Sequence, residues 1–214
     1  MNIVITAGPT REYLDTIRFI SNPSSGRMGY AIARAAAERG HDVTLVSGPV
    51  EVESPAGTRI IRVETAEEML GAARRAFRRA DAAIFTAAVC DWRPARRADR
   101  KLPKAKVSRL LRLVPTPDIA ATLGRVKGSR LTIAFALEDH DGRRHAESKL
   151  VRKNCDAILL NGPGNIGSKA ARFEYLARGG TWQSWPADHK SAIARRIIRA
   201  LESMHALKAK KRRS

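Results

Sequence analysis

Two hydroxyl side chains and a glycine stand where a helix is predicted to begin, in the run Ser21-Asn22-Pro23-Ser24-Ser25-Gly26. The free N–H groups at the start of a helix, together with the helix dipole, bind phosphate groups. A simpler interpretation is that Ser24 or Ser25 caps the helix, and both interpretations can hold at once. The run is not a Walker A loop, because no G-x-x-x-x-G-K-[ST] occurs, and no G-x-G-x-x-G follows the first strand. The sequence therefore predicts a phosphate site of a different kind at Ser24, Ser25 and Gly26.

Small or polar residues follow the predicted strands. In doubly wound sheets the ligand lies beyond the carboxyl ends of the strands, and small residues let it approach the backbone. At any one loop such residues can merely turn the chain. Several together predict a ligand crevice, to which Gly8 and Thr10 contribute as substrate-binding or phosphate-binding residues. The five strand ends are Ala7-Gly8-Pro9-Thr10, Ser47-Gly48-Pro49, Ala87-Ala88-Val89, Phe135-Ala136 and Asn161-Gly162.

A basic segment without hydrophobic periodicity runs from Asp91 to Val107, and we call it the flap. It is either a lid that brings cations to a polyphosphate or a solvated loop, and the sequence leaves both open. Lys149 and Lys153 lie one helical turn apart, so they either point at one anion together or lie on the solvent face. The basic residues of the flap are Arg93, Arg96, Arg97, Arg100, Lys101, Lys104 and Lys106.

The elements that must position these residues alternate between short β-type runs and helical segments. This pattern predicts an α/β fold, a Rossmann-like and mainly parallel sheet with helices on both faces. Two runs around Gly179-Gly180 also predict a small C-terminal β-hairpin. The predicted strands are Asn2–Ala7, Asp42–Ser47, Ile60–Val63, Asp81–Ala87, Leu110–Val114, Leu131–Ala136, Ala157–Leu160, Phe173–Ala177 and Thr181–Trp185. The predicted helices are Ser24–Gly40, Thr65–Ala80, Pro117–Gly124, Arg143–Asn154 and Ala187–Leu207.

Helix caps and chain ends complete this outline. Thr65 and Thr116 are the predicted N-caps of the second and third helices, with Pro117 at the first helical position of the third. We expect one domain over residues 1–207, followed by a basic, disordered tail at 208–214.

The charge of the chain favours anionic partners. Lys and Arg number 40 against 21 Asp and Glu in 214 residues, which makes the net charge +19 and the pI about 11.1. Such a balance suits nucleic acid, a membrane surface or phosphorylated metabolites. Nucleic-acid-binding modules usually interleave aromatic with basic residues, whereas aromatic residues are only 5% here. We therefore interpret the charge mainly as a solvated basic surface, and keep nucleic-acid binding as an alternative.

Cysteine usage and hydropathy exclude several classes of protein. Cys90 and Cys155 stand far apart, in no spacing that holds a metal or builds a disulfide framework. No apolar run approaches the ~20 residues that span a bilayer. The N-terminus has neither the basic region nor the cleavage site of a signal peptide. We therefore expect a cytoplasmic protein that does not bind membranes.

Seven runs of the sequence carry a resemblance to a known family. They are ITAGPTREYLD, IRFISNPSSGRMGYAIA, VTLVSGPV, FTAAVCDWRP, PTPDIAATLG, FALED and ESKLVRKNCDAILLN, in collinear order over roughly residues 3 to 200. They resemble phosphopantothenate–cysteine ligase, the ligase half of the bacterial coenzyme A biosynthesis flavoprotein. Ile20-Ser21-Asn22 with Ser24-Ser25-Gly26 is a much more specific signature than a lone glycine-rich loop. Because no decarboxylase half precedes Met1, we expect a free-standing ligase without flavin.

The resemblance implies a reaction and its partners. Family members couple 4′-phosphopantothenate to L-cysteine through an acyl-nucleotidylate, and the bacterial form cleaves CTP to CMP and pyrophosphate, while animal forms accept ATP. Magnesium (Mg2+) accompanies the nucleotide. The family is homodimeric, with the Phe173–Trp185 hairpin as a candidate interface. A separate phosphopantothenoylcysteine decarboxylase is implied in the same pathway.

The resemblance also implies site residues. Asn22 matches the asparagine that contacts the acyl-nucleotidylate, and Arg18 matches a nearby arginine, so the resemblance implies that both are catalytic residues. Trp92 replaces the usual tyrosine in a nucleotide-contacting run. The residues that match nucleotide-binding positions are Ala87, Ala88, Asp91, Thr116, Pro117, Asp118, Ile119, Phe135, Lys149 and Lys153.

The flap departs from the family pattern K-x-K-K, because Pro103 occupies the place of the important third residue in Lys101-Leu102-Pro103-Lys104. Proline fixes its own φ and restricts the residue before it. A one-residue offset moves a Cα by about 3.8 Å, which a long lysine side chain can absorb. We therefore expect Lys104 to take the catalytic role, with Lys101 second.

A nicotinamide-dependent oxidoreductase of the same fold class is the other alternative. It requires a glycine fingerprint after the first strand and an acidic residue near the end of the second. The fingerprint is missing, and the second strand ends at Ser47-Gly48.

Replacing Lys104 with Gln should slow nucleotidyl transfer more than amine attack, because negative charge builds at phosphorus in the first of these steps. Single-turnover assays that follow pyrophosphate and amide product separately measure the two steps. If only Lys101→Gln abolishes pyrophosphate release, the role belongs to Lys101. If neither variant matters, the cation comes from Arg100 or Lys106 and the alignment of the flap is wrong.

Overall fold

The computed structural model describes residues 1–103, 110–165, 168 and 170–211. Its strands are β1 (Asn2–Ala7), β2 (Arg11–Tyr13), β3 (Phe19–Ser21), β4 (Asp42–Ser47), β5 (Thr58–Arg62), β6 (Ala82–Phe85), β7 (Trp92–Pro94), β8 (Leu113–Pro115), β9 (Leu131–Leu137), β10 (Ala157–Asn161), β11 (Ala170–Ala177) and β12 (Gln183–His189). Its helices are α1 (Arg27–Glu38), α2 (Ala66–Phe77), α3 (Ile119–Arg125), α4 (Gly142–Arg152) and α5 (Lys190–Lys211), with a 3-10 turn at Pro163–Asn165.

Eight strands form one sheet in the order β12-β11-β10-β9-β6-β1-β4-β5. The six strands from β10 to β5 are parallel, whereas β11 and β12 join at one edge as antiparallel strands. The predicted α/β fold with a mainly parallel sheet is confirmed. The predicted C-terminal hairpin is β11 and β12, and it extends the main sheet.

The helices cover both faces of the sheet because its central strands are apolar on both sides. Ile3 and Ile5 of β1 pack in one cluster with the buried residues of α1 and α5. Val4, which points to the opposite face, packs with α2 and α3. On that second face α4 covers β9 and β10, where Ala134 and Ile158 are buried.

The strand order reverses between β1 and β6. From β1 the chain passes through α1 to β4 and β5 on one side, and α2 returns it to β6 on the other. The loops that follow β1 and β6 are joined by the backbone, since the Ala88 N–H donates to the Gly8 carbonyl at 2.9 Å and Pro9 pairs with Ala88. Open α/β sheets bind their ligands at such a reversal.

Two small antiparallel hairpins stand outside the main sheet. One pairs β2 with β3, and the other pairs β7 with β8. The strands β2, β3 and β7 were not predicted, because strands of three residues are too short to show a period. The strand predicted at Leu110–Val114 is present as β8, at Leu113–Pro115.

The first helix begins later than predicted. Its N-cap is Gly26, which has a φ of 70° and makes no side-chain cap hydrogen bond, and the helix starts at Arg27. Ser24 and Ser25 therefore precede the helix, and the interpretation that either of them caps it is wrong. The Ser24 hydroxyl instead accepts the Gly26 N–H at 3.4 Å.

Of the two other predicted helix caps, Thr65 is confirmed and Thr116 is wrong. Thr65 caps α2 and forms a capping box with Glu68, as its sequence spacing predicts. Thr116 does not cap α3, because the N-cap is Asp118, whose carboxylate accepts the Ala121 N–H at 3.0 Å.

The last helix runs through Lys211. Residues 208–211 therefore continue the helix where the sequence predicted a disordered tail, and residues 212–214 lie outside the described residues. No helix in the described part of the chain combines the length and apolarity that a bilayer-spanning segment needs.

Gly48 lets the loop after β4 pack directly on the loop after β1. A Cβ at this position would lie 1.7 Å from the Pro9 carbonyl oxygen. Gly48→Ala must push the two loops apart, and we expect it to lower the free energy of unfolding by about 1–3 kcal/mol.

Gly71→Ala is the matched control, because a Cβ inside α2 meets only the Arg75 guanidinium at 3.5 Å. Helix propensity predicts a gain of about 0.8–1.0 kcal/mol there. Urea denaturation of both variants measures the two effects. A Gly48→Ala protein as stable as the wild type would contradict the close packing.

Candidate functional site at the carboxyl edge of the sheet

Two of the cavities at the carboxyl ends of the parallel strands share a wall. The larger cavity, of about 820 Å³, lies beside the loops that follow β1, β4 and β5. The smaller cavity, of about 180 Å³, lies beside the ends of β6, β9 and β10. Pro23, Ser24, Ser25 and Arg27 line both cavities. The segment predicted to bind phosphate is therefore the wall between them.

The smaller cavity combines an aromatic wall with polar donors. Phe135 and Phe173 meet edge to face, with ring centroids 5.5 Å apart and an interplanar angle of 85°. The rest of the described wall consists of small, amide, hydroxyl and basic residues together with the apolar side chains of Pro23, Met28 and Leu137, and it contains no Asp or Glu. This arrangement fits a ligand with a flat ring and an anionic part. Its described walls are Pro23, Ser24, Ser25, Gly26, Arg27, Met28, Gly29, Thr86, Ala87, Ala88, Phe135, Leu137, Asn161, Asn165, Phe173 and Lys190.

The larger cavity carries charges of both signs. Arg11 and Arg62 line it together with Glu51, Glu64 and Glu68. The Glu68 carboxylate is occupied, because it accepts the Glu64 N–H at 2.8 Å beside the start of α2. This cavity suits a polar, extended ligand that carries both hydrogen-bond donors and hydrogen-bond acceptors.

Asn22 lies at the edge of the larger cavity. Its side-chain amide donates to the Val89 carbonyl at 3.0 Å, and this bond fixes the side chain to the loop after β6. Asn22 thus connects the wall between the cavities to the point where the strand order reverses.

Asp15 ties the flap to the β2–β3 hairpin. Its carboxylate is fully buried and accepts the N–H groups of Ile17, Arg18 and Leu102 at 2.8, 2.8 and 3.1 Å. It also pairs with the Arg18 guanidinium, whose Nη2 donates to the Leu102 carbonyl at 2.7 Å. The Arg18 N–H and the other donors hold the pKa of Asp15 well below its usual range, against the opposing effect of burial.

Arg18, a predicted catalytic residue, is therefore engaged in holding the flap, and the described walls of the two cavities do not include it. Lys101 precedes the anchored Leu102 and is exposed. Lys104, the other predicted catalytic cation, and Lys106 lie outside the described residues.

Lys149 and Lys153 adopt neither arrangement that their spacing suggested. Lys149 forms an ion pair with Glu138, beyond the end of β9. Lys153 forms one with Asp118 at 3.1 Å, at the start of α3. Burial raises the pKa of Asp118, but the Ala121 N–H and the Lys153 ammonium outweigh it and lower that pKa overall. The described walls of the two cavities include neither lysine.

The other predicted nucleotide-binding residues near α3 make hydrogen bonds within the chain, pack in the core or are exposed. The Thr116 N–H donates to the Asp91 carbonyl at 2.9 Å, and the Thr116 hydroxyl donates to the Cys90 carbonyl. Pro117 is half-buried, and Ile119 is 4% exposed and packs in the core beneath α2. The Asp91 side chain is exposed.

Gly8 and Thr10 support the loop after β1. Gly8 has a φ of 76°, and its backbone packs against Val50. The Thr10 hydroxyl is fully buried and accepts the Cys90 N–H at 3.0 Å. Neither residue is part of the described cavity walls.

The predicted residues that the fold brings together are Asn22, Ser24, Ser25, Gly26, Ala87, Ala88 and Phe135. Arg27, Phe173 and Lys190 also line these cavities but were not predicted as site residues. Arg27 follows the signature directly, whereas Phe173 and Lys190 lie late in the chain and reach the site only because β11 and α5 fold back over it.

The two cysteines are buried and free. Burial raises the pKa of the Cys155 thiol to about 11, and it also raises that of Cys90. Both thiols are therefore protonated at neutral pH, and Cys155 packs in the core under α4.

Comparison with known proteins identifies a family. A family model described as "DNA/pantothenate metabolism flavoprotein C-terminal domain" matches residues 1–204. The crystal structure of the C-terminal domain of coenzyme A biosynthesis bifunctional protein CoaBC superposes with a TM-score of 0.82 at 36% identity, and covers 95% of each chain.

Two curated relatives extend the comparison. The bifunctional protein CoaBC of Vibrio cholerae is 45% identical over 162 residues, which are 74% of this chain and 41% of that protein. A protein named cysteine/cysteine sulfinic acid decarboxylase, from an unknown prokaryotic organism, is 42% identical over 205 residues, which are 93% of this chain and 57% of that protein. The chain spans about half the length of these relatives.

Asp15→Asn should loosen the flap. The amide keeps the shape of the carboxylate, but it loses the negative charge that binds Arg18 and the second acceptor oxygen that binds the Leu102 N–H. We expect trypsin to cleave after Lys101 about tenfold faster, as hydrogen bonds to charged groups of this kind imply. Asp99→Asn, an exposed change in the same segment, is the control.

The effect of Asp15 should also depend on pH. Because folding lowers the pKa of Asp15, its contribution to stability is present above its unfolded pKa, about 3.9, and is lost as the pH falls below it. The difference in Tm between wild type and Asp15→Asn should therefore be larger at pH 7 than at pH 3. An equal difference at both would show that the charge of Asp15 does not matter.

Proposed function

Since the chain belongs to the DNA/pantothenate metabolism flavoprotein C-terminal domain family, we propose that it is a phosphopantothenate–cysteine ligase. It would join 4′-phosphopantothenate to L-cysteine through an acyl-nucleotidylate, using CTP and releasing CMP and pyrophosphate. The proposal rests on this membership together with the resemblance of the sequence motifs.

The geometry that supports the proposal is the wall that the two cavities share. A ligase of this kind must bring an acid and a nucleotide together at one atom. Ser24, Ser25 and Arg27 face both cavities, and Asn22 stands at the edge of the larger one. We assign the nucleotide to the smaller cavity, with Phe135 beside its base, and the acid to the larger cavity.

The first step would activate the carboxylate. Its oxygen attacks the α-phosphorus of CTP, a new O–P bond forms, and the bond between the α-phosphorus and the bridging oxygen breaks to release pyrophosphate. This step requires no protein nucleophile, so the protein contributes positioning and charge stabilisation. The N–H groups at the start of α1, the hydroxyls of Ser24 and Ser25 and the Arg27 guanidinium are placed to do this.

The second step would form the amide. The amine of L-cysteine attacks the acyl carbon, the C–N bond forms, the C–O bond to CMP breaks, and the amine loses a proton to solvent. Asn22 would hold the acyl group by neutral hydrogen bonds while its own amide stays fixed on Val89. The buried Cys90 and Cys155 take no part, because the reacting cysteine is a substrate.

We propose that Mg2+ binds together with CTP. Within residues 1–103, 110–165, 168 and 170–211, no cluster of three His, Cys, Asp or Glu side chains could hold a metal ion. The described residues therefore do not form a cage for Mg2+. They fit a cation that is bound mainly by the nucleotide phosphates, as Mg2+ commonly is.

We also propose that the ligase is a homodimer, that it acts in the cytoplasm, and that a separate phosphopantothenoylcysteine decarboxylase uses its product. Phe173 and Trp185 of the candidate interface hairpin are 3% and 2% exposed and lie in the core, so an interface there would form through the exposed side chains of β12. Exposed apolar side chains also lie on the two small hairpins, among them Ile17, Phe19 and Trp92. Light scattering of the purified protein tests the dimer.

The experiment that tests the function uses purified protein with 4′-phosphopantothenate, L-cysteine and Mg2+, with CTP or ATP in turn. Pyrophosphate release and amide product are both measured. We expect a higher kcat/KM with CTP, because the motifs match the bacterial form. Equal kcat/KM with both nucleotides would overturn the nucleotide assignment, and no product with either would overturn the ligase.

Asn22→Asp should reduce ligation by at least about 100-fold, the loss typical for one preorganised donor. The new carboxylate faces the Val89 carbonyl and adds negative charge beside the acyl phosphate. Steady-state product formation measures the loss.

Asn2→Asp is the control, because the Asn2 amide also donates to a backbone carbonyl, that of Arg79 at 3.2 Å, but at the opposite end of β1. It should keep wild-type activity. Wild-type turnover in Asn22→Asp would remove Asn22 from the site.

A further inference from the structure

Two basic side chains from distant parts of the chain line the smaller cavity. Arg27 begins α1 and Lys190 begins α5, and both are part of the wall that holds Ser24, Ser25 and the two asparagines Asn161 and Asn165. The Lys190 ammonium donates to the Asn165 carbonyl at 3.4 Å, which is a long bond to a neutral acceptor.

The surroundings of Lys190 differ from those of three other lysines in the described part of the chain. Lys149, Lys153 and Lys127 each form an ion pair with a carboxylate. The described wall around Lys190 contains no carboxylate. Asp188, the acidic residue nearest to it in the chain, lines a different cavity.

The first turns of both helices add to the positive potential. Neither α1 nor α5 has an acidic residue in its first turn, although acidic residues are favoured there because they offset the helix dipole. Burial lowers the pKa of Lys190, and the positive charge of Arg27 lowers it further. The positive charges in this cavity therefore destabilise the protein when no ligand is bound. A bound anion would offset their repulsion.

We propose that Lys190 is a phosphate-binding residue of the nucleotide site, and that it holds a phosphate group of CTP together with Arg27 and the hydroxyls of Ser24 and Ser25. The identity of the nucleotide rests on the proposed function. The class of ligand, a phosphate or polyphosphate anion, follows from the charge and the donors of the cavity.

The test measures binding of inorganic pyrophosphate and of CTP with Mg2+ by calorimetry, without the acid or L-cysteine. Lys190→Gln should weaken both by at least about tenfold, the range for a charge-assisted hydrogen bond. Lys190→Arg should keep most of the affinity. Arg199→Gln, which removes the same charge from an exposed position of α5, should bind as the wild type does.

Thermal melting separates this role from a structural one. Lys190→Gln relieves the repulsion with Arg27, so its Tm in the absence of anion should equal or exceed that of the wild type. Unchanged affinity in Lys190→Gln, or equal loss in Lys190→Gln and Arg199→Gln, would overturn the proposal.

A second measurement uses the unmodified chain and does not depend on any variant folding. Acetylation by a soluble ester, read by mass spectrometry, should be slower at Lys190 in the presence of pyrophosphate and unchanged at Lys208. Equal labelling of Lys190 with and without pyrophosphate would overturn the inference. If pyrophosphate protects Lys190 from acetylation but the protein makes no amide, the role of Lys190 is supported and the ligase function is contradicted. If the protein makes the amide but pyrophosphate does not protect Lys190, the ligase function is supported and the role of Lys190 is contradicted.

Discussion

The close approach of three loops at the carboxyl edge of the sheet is the constraint on which the site depends. β4, β1 and β6 are parallel neighbours, so the loops that follow them emerge side by side. The Gly48 N–H donates to the Ala7 carbonyl and the Ala88 N–H to the Gly8 carbonyl, both at 2.9 Å. These bonds use backbone groups, which places the loops independently of most side chains. The segment from Asn22 to Arg27 then crosses this platform and divides the space above it into two cavities.

The charges of the chain are distributed unevenly over this platform. The carboxylates of Asp15, Glu138 and Asp118 each bind a basic side chain, and these pairs position the flap and the helices α3 and α4. The smaller cavity instead brings Arg27 and Lys190 together without a carboxylate in its described wall. Part of the positive charge of the sequence thus stabilises the structure in ion pairs, and in the proposed function Lys190 binds an anionic ligand.

Several residues that the family resemblance assigns to the site make structural contacts. Arg18 is bound to Asp15 and Leu102, Thr116 to Cys90, and Lys153 to Asp118. Such contacts hold together the elements that surround the cavities. In the proposed reaction they position the groups that touch substrate, because a carboxylate and a phosphate react only when they are held in line.

The sequence by itself determined the fold class, because strands apolar on both faces that alternate with amphipathic helices have few arrangements other than a parallel sheet covered on both sides. It also singled out the run from Asn22 to Gly26 as part of the site, because residue types and spacing are local properties of the chain, although it began the helix at Ser24 and the structure begins it at Arg27. Only the tertiary structure decided which basic residues face the cavities. Lys149, Lys153 and Lys190 are equally basic in sequence, yet the first two pair with carboxylates, and among the residues that the structure describes the third pairs with none. That outcome depends on which side chains other elements bring nearby, and a pattern within one segment contains no information about distant partners.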